Sequence, residues 1–169
     1  GLLKRLCDDY RQVVSINVLQ PPTSYFAELT DTIGPKVAYY CGTDMLAEGL
    51  SLGARGCLTG HANVQPFLVR SIGRNYALGR MDLCGDALRQ FFRINSTLTR
   101  AFPGADGLMP KWLLRWLKPA MKILDLPGHS DGRMRPPYVN MTPEELDRLG
   151  AALRSVDFAG IERRAREQF

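Results

Sequence analysis

The sequence predicts an α/β chain in which parallel strands alternate with helices over the first part and only helices follow. Two observations carry this. Three short runs rich in β-branched and aromatic residues, within Gln12–Val18, Val37–Cys41 and Cys57–Thr59, are separated by helical patterns. Strands spaced in this way pair in parallel through right-handed crossovers, not as hairpins. After Asn63 no further strand pattern appears, and apolar residues recur at helical spacing to the end.

Each element has its own local reason. Residues 2–10 set Leu2, Leu3 and Leu6 on one side of a short amphipathic helix, with charges opposite. Gln12–Val18 reads as a buried strand, because Val13, Val14, Ile16 and Val18 supply β-branched bulk. Pro21 and Pro22 end it. Thr23 is expected to cap a helix whose apolar positions Phe26, Leu29 and Ile33 run to the stop at Gly34 and Pro35.

Val37–Cys41 is the second strand, and Gly42 follows it. Asp44 stands where an N-cap would satisfy the first free amides of a helix carrying Leu46 and Leu50 on one face. Gly53 and Gly56 stop that helix and turn the chain into the third strand, Cys57–Thr59. Tyr39 and Tyr40 alternate across their strand, one toward the inside of the sheet and one toward the helices. Core packing is the expectation for both.

Pro66 opens a helix with Phe67, Leu68 and Ile72. Residues 81–101 form a longer one, with Leu88, Phe91, Phe92, Leu98 and the adjoining Phe102 as core candidates, broken by the PGADG segment at 103–107. Pro110–Leu124 is a third, bent at Pro119, with Trp112, Leu113 and Trp116 available for packing. Thr142-Pro143-Glu144-Glu145 is a capping box with proline at the first helical position, which starts a helix reaching about Ser155. The segment from Ala159 reads as a helix or a loose tail. The predicted division is residues 1–76, three parallel strands with their helices, and residues 77–169, helical.

Composition narrows the class. A chain of 169 residues with 45% hydrophobic and 23% charged residues has the balance of an ordinary globular domain. No apolar run approaches the roughly 20 residues needed to span a bilayer, and GLLKRLCDDY carries acidic residues where a signal peptide has its apolar centre. A cytoplasmic protein that does not engage membranes is expected. The first residue is Gly1 and not methionine, which suggests a processed piece or an expression fragment. Cys7, Cys41, Cys57 and Cys84 include no C-x-x-C pair, so reduced core thiols are expected. The net charge of +5 rests mostly on helical arginines, densest at Arg163, Arg164 and Arg166. That is a solvated helix face, and no nucleic-acid partner is expected. His61, in the loop after the third strand, and His129 have no spaced ligand partners, so both read as surface loop residues and no metal is expected.

The segment from Val37 to Pro66, with its flanks, resembles the dihydrodipicolinate synthase and N-acetylneuraminate lyase family of class I aldolase-type barrels. The resemblance is carried by Gly42 with Asp44 two positions later, by Leu52-Gly53-Ala54-Arg55-Gly56 and by the Ala62-Asn63-Val64 turn. Lys122 in WLKPAMKILDLPG and Arg135-Pro136-Pro137 match later helix and turn motifs of the family. The match runs from about Leu2 to Leu153 and covers only the second part of the family pattern. It implies strands six, seven and eight of a TIM (β/α)8 barrel followed by the family's helical extension. A complete barrel of this kind needs about 250 residues.

The resemblance also implies a chemistry. Its members are carbon-carbon lyases acting on pyruvate or another 2-keto acid, with no cofactor. A lysine at the end of strand six forms a Schiff base that serves as an electron sink. The residue aligned with that lysine is Asn17, in Ser15-Ile16-Asn17, and the interval from Asn17 to Gly42 keeps the family's register without a gap. An amide cannot form an imine. Lys4, Lys111 and Lys118 fall on helices, Lys36 precedes its strand, and Lys122 lies in the helical part, so none is expected at the catalytic end. Gly42 would allow close ligand approach, and Leu58 aligns where strand eight lines the pocket with a backbone carbonyl. Asn17 either hydrogen-bonds a keto acid or satisfies neighbouring groups at the strand end. Three roles stay open: a family protein that has lost the imine step, a keto-acid-binding or assembly subunit within a homo-oligomer, and a half-barrel completed by a partner chain.

Overall fold

The computed structural model of the chain describes residues 1–19, 21–34, 36–102, 109–128 and 131–168, with side chains described outside 109–114. The expected stop at Pro35, the break at 103–107, the side chains of Trp112 and Leu113, and His129 lie outside the described residues. The described chain forms two compact units, one of Gly1–Thr59 with Ile72–Cys84, the other of Gly60–Ser71 with Gly85–Phe169.

The first unit holds the sheet. Helix α1 (Leu2–Asp9) leads to β1 (Ser15–Asn17), α2 (Thr23–Thr32) to β2 (Ala38–Cys41), and α3 (Leu46–Ser51) to β3 (Gly56–Cys57). The strands lie in the order β1-β2-β3, all parallel. This agrees with the strand-helix alternation of the sequence. Phe26, Leu29 and Ile33 of α2 are buried together with Tyr39 and Cys41 of β2, and Phe26 stacks on Tyr39 at 6.0 Å between ring centroids. Tyr39 donates to the carbonyl of Leu52 at 2.6 Å and shares a hydrogen bond with Thr30 at 2.5 Å. The helices therefore cover the Tyr39–Cys41 face of the sheet. Gly49 of α3 packs so closely that a Cβ there would stand 2.8 Å from Cys41 Sγ.

Several local expectations are corrected. The run Gln12–Val18 is not a buried strand: β1 keeps three residues, Ser15 and Asn17 are exposed, and Val14 is 69% exposed. β1 is an edge, paired only with β2, so half its bulk has nothing to pack against. The third strand spans Gly56–Cys57 and not Cys57–Thr59. Thr23 does not cap α2. It is the first helical residue behind Pro22, and its hydroxyl donates to Glu48 on α3. Asp44 is not the N-cap of α3 either, because it sits inside a one-turn 3-10 segment, Thr43–Met45, that moves the helix start one residue on.

The second unit is helical apart from its turns. The helices are α4 (Pro66–Ala77), α5 (Met81–Ala101), α6 (Met109–Ile123), α7 (Pro143–Ser155) and α8 (Phe158–Glu167), of which α4 and α5 fall partly in the first unit. The capping box forms as its sequence predicts: Glu145 N–H donates to Thr142 Oγ1 at 3.2 Å, and Thr142 N–H to the Glu145 carboxylate at 2.8 Å. Glu145 also takes an ion pair from Arg115 of α6 at 2.6 Å, which ties α6 to the start of α7. Phe91, Leu98 and Phe102 are buried as expected, but Phe92 is 44% exposed. Consecutive helical positions point about 100° apart, so both phenylalanines cannot share one core face. His61 is corrected from surface to buried. It lies in a 3-10 turn, Gly60–Asn63, edge-on to Phe91 with ring centroids 4.9 Å apart. The final segment is a helix and not a tail, because Phe158, Ile161 and Ala165 recur on one buried face.

Candidate functional site

The carboxyl ends of the strands bring the sequence-predicted residues together. Asn17 is the last residue of β1, Gly42 follows β2, and Leu58 follows β3. The ladder that aligns them continues past the strands: Val18 N–H donates to the Tyr40 carbonyl at 2.8 Å, Gly42 N–H to the Leu19 carbonyl at 2.8 Å, and Leu58 N–H to the Cys41 carbonyl at 3.0 Å. Backbone pairing thus fixes all three at one end of one sheet. In parallel α/β sheets sites are built at this end, from the loops that follow the strands.

Side-chain alternation sets which groups share a face. Tyr39 and Cys41 point to the helices and are 1% and 0% exposed, so Ala38, Tyr40 and Gly42 face the other side. The register places Ser15 beside Ala38, and Asn17 beside Tyr40, which is in turn opposite Gly56. Ser15, Asn17, Tyr40, Gly56 and Leu58 therefore belong to one face, and Leu58 is 60% exposed there. Gly42 is buried, and a Cβ on it would stand 2.6 Å from Asp44 Oδ1 and 2.8 Å from the Leu19 carbonyl oxygen. Close backbone passage after β2 requires glycine at that position.

No lysine side chain reaches this face among the described residues whose partners are given. Lys36, just before β2, pairs with Asp8 of α1 at 2.5 Å, and Lys4 pairs with the same carboxylate at 2.5 Å. Hydrogen bonds from Lys36 and then Lys4 hold the Asp8 carboxyl down to about 2. These amines sit at the amino end of β2, opposite Asn17. Lys118 donates to the Arg133 carbonyl at 3.3 Å in the helical unit.

The thiols behind the sheet are poor nucleophiles. Burial pushes Cys41 up to about 11, with the neighbouring Cys57 adding to it, and burial also raises Cys57. All four cysteines are free thiols. Among the described residues no group of three or more His, Cys, Asp or Glu side chains is placed to hold a metal ion. No described helix is long and apolar enough to cross a membrane.

Tyr40, for which the sequence leads one to expect core packing, instead shares the face of Asn17 and is only half-buried. One further feature is not singled out by the sequence. Glu162 of α8 reaches the start of α4, where its carboxylate accepts from Phe67 N–H at 2.6 Å and Leu68 N–H at 3.0 Å. A contact between residues so far apart in the chain leaves no periodic signal.

Comparison with known proteins gives the family and the fold. The model of the dihydrodipicolinate synthetase family matches residues 2–156. A putative dihydrodipicolinate synthase family protein from Coccidioides immitis superposes with a TM-score of 0.73 at 22% identity, covering 96% of this chain and 51% of that one. YagE, a prophage protein of the dihydrodipicolinic acid synthase family from E. coli K12 whose structure contains pyruvate, gives 0.74 at 17% identity, covering 93% and 50%. Dihydrodipicolinate synthase from Aquifex aeolicus gives 0.73 at 18% identity, covering 92% and 49%. The chain spans about half the length of the solved structures it matches. No curated protein matches it.

Proposed function

The chain belongs to the dihydrodipicolinate synthetase family, and on that premise we propose that β1, β2 and β3 are the sixth, seventh and eighth strands of its eight-stranded barrel. The chain binds a 2-keto acid such as pyruvate at their carboxyl ends without forming an imine. What supports this is the convergence of Asn17, Gly42 and Leu58 on one sheet end, together with the sequence resemblance, which aligns Asn17 with the family's Schiff-base lysine. The pyruvate bound by YagE supports the ligand class.

The chemistry follows from the functional groups. An imine needs a nitrogen lone pair to attack the ketone, and in the Asn17 amide that pair is delocalised into the carbonyl. What remains is hydrogen bonding: the amide donates two N–H groups and accepts through its oxygen. Carbon-carbon cleavage by the family route is therefore lost here, while recognition of the keto group is retained. The test combines two readouts on one sample. Saturation-transfer NMR should detect bound pyruvate, and mass spectrometry after pyruvate and borohydride should find no added mass. A covalent pyruvate adduct, or no bound pyruvate at all, overturns this reading.

A second reading rests on the exposed apolar residues around the sheet. Val14, Leu19 and Leu58 are 69%, 56% and 60% exposed, and β1 and β3 are both edges. An open sheet with such edges is a poor free-standing arrangement. In this reading further strands, from a second copy or from another chain, complete the barrel.

A further inference from the structure

The row across the three strands at the Asn17 level contains a second polar side chain that the family resemblance does not assign. Asn17, Tyr40 and Gly56 are register partners in adjacent strands and face the same side. A Cβ built on Gly56 would be in ordinary contact with Tyr40 Cδ1 and Cε1, at 3.7 and 3.8 Å, so the Tyr40 ring lies beside Gly56. Tyr40 is half-buried, whereas its neighbour Tyr39 is 1% exposed with its hydroxyl committed to Leu52 and Thr30. The Asn17 amide and the Tyr40 hydroxyl make no side-chain hydrogen bond among the described residues. Ser15, Asn17, Ala38, Tyr40, Gly56 and Leu58, residues of this face, carry no charged side chain, and the Asp44 carboxylate lies beside Gly42 at its edge.

We propose that Tyr40 is a ligand-binding residue that, together with Asn17, donates a hydrogen bond to the keto oxygen of a small 2-keto acid. The inference rests on the keto-acid reading above and specifies which atoms recognise the ligand. A ketone oxygen carries two lone pairs and can accept from an amide N–H and a phenol O–H at once. An uncharged pair suits this oxygen and gives the carboxylate no ion partner, so this row reads the carbonyl and not the acid.

Calorimetric titration of the full chain with pyruvate and with propionate, which has the carboxylate but no keto oxygen, tests this. The unsubstituted chain should prefer pyruvate. Tyr40→Phe keeps the ring and should weaken pyruvate about fivefold to tenfold, the worth of one hydrogen bond, while propionate is unchanged. An unaltered pyruvate-to-propionate ratio in Tyr40→Phe overturns the role of Tyr40 and leaves keto-acid binding standing. Equal weakening of both ligands points to a structural effect and also overturns it. If the unsubstituted chain binds no pyruvate, the keto-acid reading fails and this inference fails with it.

Discussion

In the function proposed above, one functional group decides what the strand end does: Asn17 offers two donors and an acceptor but no basic nitrogen, so it would orient a carbonyl without attacking it. Gly42 acts differently, through what it lacks. A Cβ on it would stand 2.8 Å from the Leu19 carbonyl oxygen, to which the Gly42 N–H donates. Gly42→Ala should therefore destabilise the chain by about 1–3 kcal/mol in urea unfolding, the usual cost of overpacking. Gly85→Ala is the contrast. It sits inside α5 with Arg89 Nη1 at 3.4 Å as its only near neighbour, so it should stabilise by about 0.5–1 kcal/mol through helix propensity. Equal effects of the two substitutions would contradict the close passage at Gly42.

At the scale of elements, helix ends are satisfied in two ways. The start of α7 is closed locally by its capping box, within residues that are adjacent in the chain. The start of α4 is closed by Glu162 of α8, whose carboxylate takes the amides of both Phe67 and Leu68. Burial raises the Glu162 carboxyl pKa, and these two bonds oppose the rise. A fold that favours the protonated form loses stability from this group as pH climbs through the raised value. The bonds still matter for the helix, since without them two amides lose their acceptor. Glu162→Ala should cost roughly 2 kcal/mol at neutral pH, against about 1 kcal/mol for Thr142→Ala. Thermal and urea unfolding of the two variants compare them, and a Glu162→Ala cost no greater than that of Thr142→Ala would mean water replaces the carboxylate without loss.

For the molecule as a whole, the sheet sets the question. Three parallel strands covered on one face by α2 and α3 leave Asn17 and Leu58 exposed, β1 and β3 pair with β2 alone among the described residues, and the solved structures of the same fold are about twice as long. Leaving Val14, Leu19 and Leu58 in water forfeits apolar burial worth about 25 cal/mol per Å². Native mass spectrometry of the purified chain should show species heavier than its 18.9 kDa, either as multiples of that mass or with the added mass of a second polypeptide. A folded species at the chain's own mass alone would remove the completed-barrel reading.

Much of this arrangement was legible in the residues. The strand-helix alternation, the capping box at Thr142, the helical spacing of α5 and the alignment of Asn17 with Gly42 depend on near neighbours or on a run of motifs, and a linear sequence records both. Other features depended on what packs against what. Val13 to Val18 has the β-branched content of a buried strand, yet its edge position leaves Val14 exposed. The sequence places His61 in a loop, and Phe91, thirty positions away, packs edge-on against it in the buried interior. Tyr40 and Tyr39 occupy opposite faces of the sheet, and register sets Tyr40 beside Asn17. The sequence by itself determined the elements, because their causes are local. The tertiary structure decided which face of each element is covered, because burial depends on groups that the chain brings together only when it folds.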